Sequence, residues 1–269
     1  MVPPALFFFH LTRIHWYHTI PIPHPQAVPL DKSKRVKVIP SGGYLVPEIK
    51  VGDGDDAEIV TGSETILHWI DQHFAQAQLY PTPLCSELSV RASDHKLAGF
   101  VWYYNWVDDA GFGRSILEPV RGALPSWMLP RFIPSALLQL PLRSERTKFR
   151  HQARTAMDVT DDDLDDEPRM RQLLVQELEF FQAQLQDAAQ PYLVPGTTQP
   201  TAADFSVYPQ VERLVGGNDG AYDVGLPPAL PALKQEASLE RLWQWHARMQ
   251  KECPVQFKDK KPPVAGSRL

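Results

Sequence analysis

The sequence predicts a two-part protein, with a small α/β part to about residue 78 and an all-helical part after it. The segments "VPEIKV" and "AEIVT" suit strands, and the acidic, glycine-containing "GDGDD" between them suits a hairpin turn. After Pro83 strand patterns nearly vanish, and long stretches place apolar residues at helical spacing. These two observations together predict the change from α/β to all-helical structure.

The first part has a helix pattern after the hairpin and weaker patterns before it. From Ser63, the apolar residues Ile66, Ile70 and Phe74 share one helical face. Within residues 1–43, "WYHTIPIPH" suits a strand, whereas "ALFFFHLTRI" suits either a short helix or a strand.

The boundaries between the parts are predicted from prolines and from composition. Residues 1–78 form the α/β part, and 79–85 form a linker because prolines cannot continue the preceding helix. Residues 86–252 form the all-helical part. Residues 253–269 form a basic, proline-containing tail.

Within the helical part, a long helix is predicted over 86–112 and an amphipathic helix over 170–188. The prolines of 119–142 predict a loop or a set of short turns, and the last helix is expected to open at Ser238. The acidic run 158–167 is interpreted as a solvated helix start rather than a calcium site, because the glycine and ligand spacing are missing. The predicted buried side of the amphipathic helix comprises Leu173, Leu174, Leu178, Phe181 and Leu185.

The segment around residue 200 has the pattern of a capped helix start. Thr201 and Asp204 have the spacing of a capping box, with Asp in place of the usual Glu. Pro200 and Phe205 occupy the positions of a hydrophobic staple.

Composition and charge exclude several classes of partner. The net charge is −5 and basic residues cluster only in the short tail, which argues against nucleic acid. No apolar run is long enough to span a bilayer.

Cys85 and Cys253 lie far apart without metal spacing, so a reducing compartment is expected. The last three residues, Ser267-Arg268-Leu269, are a variant of the S-K-L address, so the expected location is cytoplasmic or the peroxisomal matrix.

Three segments, taken in order, resemble the glutathione transferase family. "LVPEIKV…AEIVTGSETILHWIDQHF" is similar to the second half of that family's thioredoxin-like domain, and "QLYPT" to its interdomain linker. "PYLVPGTTQPTAADFSVYPQVERL" is similar to its capped helix after a glycine loop. The resemblance covers most of residues 44–250. It implies a thioredoxin-like first domain, an all-helical bundle, glutathione as substrate with a hydrophobic electrophile, and a homodimer.

The resemblance also implies roles for individual residues. In the family a cis proline precedes the strand, and the residue before it pairs through its backbone with the cysteinyl part of glutathione; Val46 and Pro47 match these positions. Ser63 matches the serine that binds the γ-glutamyl carboxylate. A free helix N-terminus makes that chemistry reasonable in its own right. The competing interpretation is that Ser63 is only an N-cap.

The sequence departs from the family at two places. Gly62 stands where the family usually has Glu, Asp or Gln, which removes a carboxyl partner for the ligand's ammonium group. No turn near the start matches the loop that holds the family's thiol-activating Tyr, Ser or Cys. Either the chain is truncated at its start or the protein has lost that group. In the second case it would be a non-catalytic binding or interaction module.

Aromatic residues on the first long helix have two possible roles. The family lines its electrophile pocket with this helix, so Trp102, Tyr103 and Trp106 are candidate pocket residues. Plain core packing is the alternative. The spacing of the N-terminal histidines fits no zinc pattern, and no metal is expected.

Overall fold

A computed structural model describes eight stretches of the chain. They are residues 14–16, 48–51, 58–74, 78–118, 121, 134–186, 190–216 and 230–253. Val46, Pro47, the N-terminal histidines apart from His15, and the Ser267-Arg268-Leu269 tail lie outside these residues, so the predictions made for them stay predictions.

The first part contains a three-stranded antiparallel sheet. Its strands are β1 (Ile14–Trp16), β2 (Glu48–Val51) and β3 (Glu58–Thr61), with β2 in the centre. Ile49 lies opposite Val60 and both are buried, so this face of the hairpin packs on the core. The two strands predicted on either side of the turn are confirmed. The described residues do not by themselves show a thioredoxin-like domain.

Helix α1 (Ser63–His73) follows β3 directly. Ile66 and Ile70 are buried on one face, as the apolar spacing predicts. The helix ends at Phe74, which is extended and packs partly buried against the core.

Helix α2 (Pro83–Ser93) begins inside the segment predicted to be a linker. Pro83 occupies the first helical turn, where a missing N–H costs nothing because that group has no intrahelical acceptor. The proline therefore starts a helix, whereas the sequence interpretation used it only to end one.

The long helix predicted over 86–112 is broken into several shorter pieces. After α2 the chain forms α3 (Lys96–Trp102), a π-helical turn (Tyr103–Val107), α4 (Asp109–Phe112) and a second π-helical turn (Gly113–Leu117).

A local contact explains the break before α4. The carboxylate of Asp108 accepts a hydrogen bond from the N–H of Gly111 and so caps a new helix start. A Cβ at Gly111 would lie 1.6 Å from the carbonyl oxygen of Tyr104, so only glycine permits the two turns to approach this closely.

The remaining elements complete the all-helical part. In chain order they are α5 (Ser135–Gln139), a 3-10 turn (Leu140–Leu142), α6 (Arg143–Met157), α7 (Asp161–Leu164), α8 (Glu167–Gln184), α9 (Ala202–Val215), 3-10 turns at Pro231–Gln235 and Ala237–Leu239, and α10 (Glu240–Glu252). Between Pro83 and Cys253 the described residues contain no strand. None of the described helices is long and apolar enough to cross a membrane.

Two details of the predicted helices need correction. The last helix begins at Glu240 rather than Ser238, because residues Ala237–Leu239 form a 3-10 turn. The predicted buried side of α8 is right except for Leu173, which is half-buried beside a surface cleft. Leu185, also predicted to be buried, is buried but is the C-cap of α8.

One hydrophobic core joins the two parts of the chain. It runs from Ile49 and Ile66 in the first part to Leu174 and Trp245 in the helical part. A second, smaller cluster packs the region after α3. Its buried members are Trp106, Phe112, Ile116, Leu117 and Leu138.

Candidate functional site

The start of α1 holds the two described residues of the predicted glutathione site. Gly62 is the N-cap and has φ +96°, a conformation that favours glycine. Ser63 is the first helical residue and is exposed. The N-cap interpretation of Ser63 is therefore wrong, because Gly62 takes that position. Ile66 donates the first backbone bond of the helix, 2.9 Å to the carbonyl of Gly62.

This geometry leaves donors available at the helix start. The N–H groups of Ser63, Glu64 and Thr65 precede that first bond, so they have no acceptor within the helix. The exposed Ser63 hydroxyl lies beside them, and the helix dipole adds a partial positive charge. Unpaired N–H groups and a positive dipole end are the features that favour an anion such as a carboxylate at a helix start.

The β2–β3 register determines where this helix start lies relative to the strand before it. Glu48 lies directly opposite Thr61. Because the strands are antiparallel, the chain enters β2 at the same end of the hairpin at which it leaves β3 for Gly62 and Ser63.

The first turn of α1 is fixed to the helical part by polar contacts of Glu64. Its Oε1 accepts a 2.7 Å hydrogen bond from the Tyr80 hydroxyl, and its Oε2 accepts one of 2.7 Å from Ser89. Ser89 Oγ lies 2.6 Å from Ser206 Oγ on α9. Burial and the adjacent Glu64 carboxylate raise the pKa of the Tyr80 hydroxyl, so Tyr80 remains a hydrogen-bond donor.

These polar residues were not identified from the sequence. The Ser89–Glu64 contact joins positions 25 residues apart, and the Ser89–Ser206 contact joins positions 117 residues apart. Periodicity and short motifs report only neighbours along the chain, so neither pattern indicates such pairings.

The three candidate aromatic residues occupy different surroundings. Tyr103 is buried in the main core, and burial raises the pKa of its hydroxyl. Trp106 is buried in the second cluster and stacks on Phe149 at a centroid distance of 4.4 Å. Trp102 is half-buried against the main core. Burial of Tyr103 and Trp106 favours the core-packing alternative for these two and leaves Trp102 as the more accessible ring.

The two cysteines do not have the surroundings of a reactive thiol. Cys85 is fully buried, its thiol donates to the carbonyl of Leu79 at 3.0 Å, and burial raises its pKa. Burial also raises the pKa of Cys253 to about 11. A nucleophilic cysteine needs a lowered pKa, so neither is a candidate for activating or replacing a substrate thiol.

A cleft of about 510 Å³ opens elsewhere, between α2, α3 and the end of α6. Arg91 and Lys96 both line this cleft. Arg91 forms a two-pronged ion pair with the buried Glu177, with both N–O distances 2.6 Å, and lies 3.9 Å from the ring centre of Phe180. Because this charge is already neutralised, Arg91 is not free to bind a ligand.

The acidic run is used for helix starts. Thr160 and Asp163 form a reciprocal capping box, and Asp166 accepts from the N–H of Arg169 at the start of α8. Among the residues that the structure describes, no group of three or more His, Cys, Asp or Glu side chains could hold a metal ion. The caps at Thr160, Asp163 and Asp166 confirm the helix-start interpretation for that part of the run, whereas Asp158 is the C-cap of α6.

Comparison with models of known families, with curated proteins and with solved structures found no match to this chain.

Proposed function

We propose that this chain is a glutathione transferase-like protein that binds glutathione at the start of α1 and presents its thiol to a hydrophobic electrophile. A thioredoxin-like arrangement of the first part belongs to this proposal. The observation that supports it most is the β2–β3 register, which brings the residues before β2 and those after β3 to one end of the hairpin.

Short connections along the chain limit how far apart the two halves of the proposed site can lie. Val46 is two residues from Glu48, a span of at most about 7 Å. Glu48 pairs with Thr61, which is two residues from Ser63. Because Glu48 pairs with Thr61, and Val46 and Ser63 each lie two residues from one member of that pair, we propose that one small peptide contacts both the Val46 backbone and Ser63.

The two halves of the site suit the two ends of such a peptide. The free N–H groups and hydroxyl at Ser63 suit the γ-glutamyl carboxylate, because a helix N-terminus favours negative charge. The N–H and C=O of Val46 suit the backbone of the cysteinyl residue, in the manner of an added strand.

The chemistry expected of this site is attack by the thiolate on an electrophile. Donors near the sulfur lower the pKa of the thiol, and binding beside the helical part supplies proximity. No described residue is assigned as the thiol-activating group. The half-buried Trp102 is the candidate for contact with the electrophile.

The Ser63→Ala substitution tests the carboxylate half of the site. We expect retention on immobilised glutathione to weaken about tenfold, because a hydrogen bond to a charged group contributes about 1.5 kcal/mol or more. Ser144→Ala is the matched control, since Ser144 is also an exposed serine in the first turn of a helix. The proposal fails if the two variants are retained equally well.

A non-catalytic binding module is the second candidate, and the backbone at Gly62 favours it. The φ of +96° disfavours the acidic residue that the resembled family carries there, so the ligand's ammonium group lacks that partner. A conjugation assay with generic electrophiles separates the candidates. Glutathione-dependent turnover by the wild-type chain would exclude the non-catalytic one.

A further inference from the structure

A network of side-chain hydrogen bonds runs from Glu64 through Ser89 to Ser206. Glu64 side-chain oxygens accept from the hydroxyls of Tyr80 and Ser89, each at 2.7 Å. A serine hydroxyl has one proton. Because Ser89 donates that proton to Glu64, Ser206 must be the donor in its 2.6 Å contact with Ser89. The Ser206 hydroxyl therefore donates to Ser89, and the Ser89 hydroxyl donates to the Glu64 carboxylate.

The polar groups of this network are largely buried, so each one needs a hydrogen-bond partner to offset its loss of water. Ser89 is fully buried and Ser206 is 6% exposed, while the Glu64 side chain is 23% exposed. His68 Nε2 lies 3.7 Å from Glu64 Oε1. A carboxylate held mainly by hydroxyls loses its alignment when one donor is removed, because the remaining polar atoms are left unsatisfied.

Glu64 also supplies one of the free backbone N–H groups at the start of α1. The same residue therefore faces the proposed ligand with its backbone and the helical part with its side chain. Ser89 and Ser206 belong to α2 and α9, which pack against each other.

A parallel set of contacts fixes the segment between α1 and α2. Leu79 accepts a 2.9 Å hydrogen bond from the N–H of Ala202 at the start of α9 and another from the Cys85 thiol. Tyr80 stacks on His68 of α1 at a centroid distance of 4.1 Å. The first turn of α1 is thus joined to α2 and α9 through Glu64 and through Tyr80.

We propose that Glu64 is a positioning residue that couples the glutathione carboxylate site to helices α2 and α9. Ligand bound at Ser63 orders the first turn of α1, and Glu64 transmits that order to Ser89 and Ser206. This coupling rests on the function proposed above. It predicts that a residue without ligand contact, Ser89, affects both glutathione affinity and the ligand response of the helical part.

The test is amide hydrogen exchange of the full chain with and without saturating glutathione, together with its dissociation constant. In the wild type, glutathione slows exchange in the first turn of α1 and also in α2 and α9. In Ser89→Ala the protection is confined to α1, and the dissociation constant rises about fivefold, the effect of one lost hydrogen bond.

Two further variants make the result interpretable. Ser115→Ala is the matched control, because Ser115 is equally buried and lies outside this chain of hydrogen bonds. It keeps the wild-type response. Tyr80→Phe removes the other donor to Glu64 at a half-buried position, and we expect it to lower protection of α2 and α9 as well. It replaces Ser89→Ala as the test variant if Ser89→Ala does not fold.

The outcomes separate the coupling from the proposed function. Protection of α2 and α9 in Ser89→Ala equal to that in the wild type, even with a lower Tm, overturns the coupling and leaves the function standing. If Ser89→Ala does not fold, wild-type protection of these helices in Tyr80→Phe overturns it in the same way. Absence of glutathione-dependent protection in α1 of the wild type overturns the proposed function and the coupling with it.

Discussion

At the scale of single residues, Asp204 organises the start of α9. Its buried carboxylate accepts four hydrogen bonds, from the N–H groups of Leu193 and Thr201, the Thr201 hydroxyl and the Trp245 indole. Burial raises the pKa of Asp204, and these donors oppose that shift. One side chain thereby fixes a loop, a helix start and a residue of α10.

Replacing Asp204 is expected to destabilise the fold strongly. Asp204→Asn keeps the shape but turns an amide N–H₂ toward groups that are themselves donors, at a cost of about 2–4 kcal/mol in the free energy of unfolding. Chemical denaturation measures this loss. Asp162→Asn, at an exposed aspartate of α7, is the control and costs under about 0.5 kcal/mol. Equal losses in the two variants would contradict the assigned role.

The residue type at position 62 fits the backbone conformation there. The positive φ at this position means that a side chain there is strained whatever space surrounds it. The missing carboxyl is therefore matched to the backbone conformation of this chain.

At the scale of elements, the acidic run joins α6, α7 and α8. Arg150 of α6 donates to Asp161 at 3.1 Å and to Asp165 at 2.9 Å. Asp163 accepts from the hydroxyl and N–H of Thr160, and these bonds lower its pKa. The ion pair with Arg150 lowers the pKa of Asp165.

These lowered pKa values predict a pH dependence of stability. A carboxyl with a lower pKa in the folded than in the unfolded state contributes its full stability above about pH 4, the ordinary aspartate value. That contribution is lost as pH falls through the folded-state pKa. We expect the Tm difference between the wild type and Asp163→Asn to be largest near pH 6 and to shrink toward pH 3. A difference that is constant with pH would contradict the assignment.

Element prediction from the sequence succeeded where the determining contacts are local. The strands of the hairpin, helix α1 and the Thr201–Asp204 capping box follow from spacing within a few residues. The sequence analysis missed the breaks over 86–112, including the one at which Asp108 caps a new helix start and Gly111 lies close to Tyr104. The start of α2 at Pro83 was missed because proline is both a helix breaker and a good first residue.

At the scale of the whole molecule, the two parts predicted from the sequence share one core. Of the proposed site, the structure describes only Gly62 and Ser63, and the helix that begins there was predicted from local apolar spacing. Contacts between distant positions, such as Ser89 with Ser206 or the buried pair of Glu212 with His246 at 2.6 Å, have no short-range pattern.

We propose above that the start of α1 binds the γ-glutamyl carboxylate of glutathione. Calorimetric titration of the wild-type chain with glutathione and with cysteinylglycine, which lacks that group, tests it most directly. We expect glutathione to bind at least about tenfold more tightly than the dipeptide, because its carboxylate would gain charge-assisted hydrogen bonds at Ser63. Equal affinities, or no binding of glutathione, would contradict it.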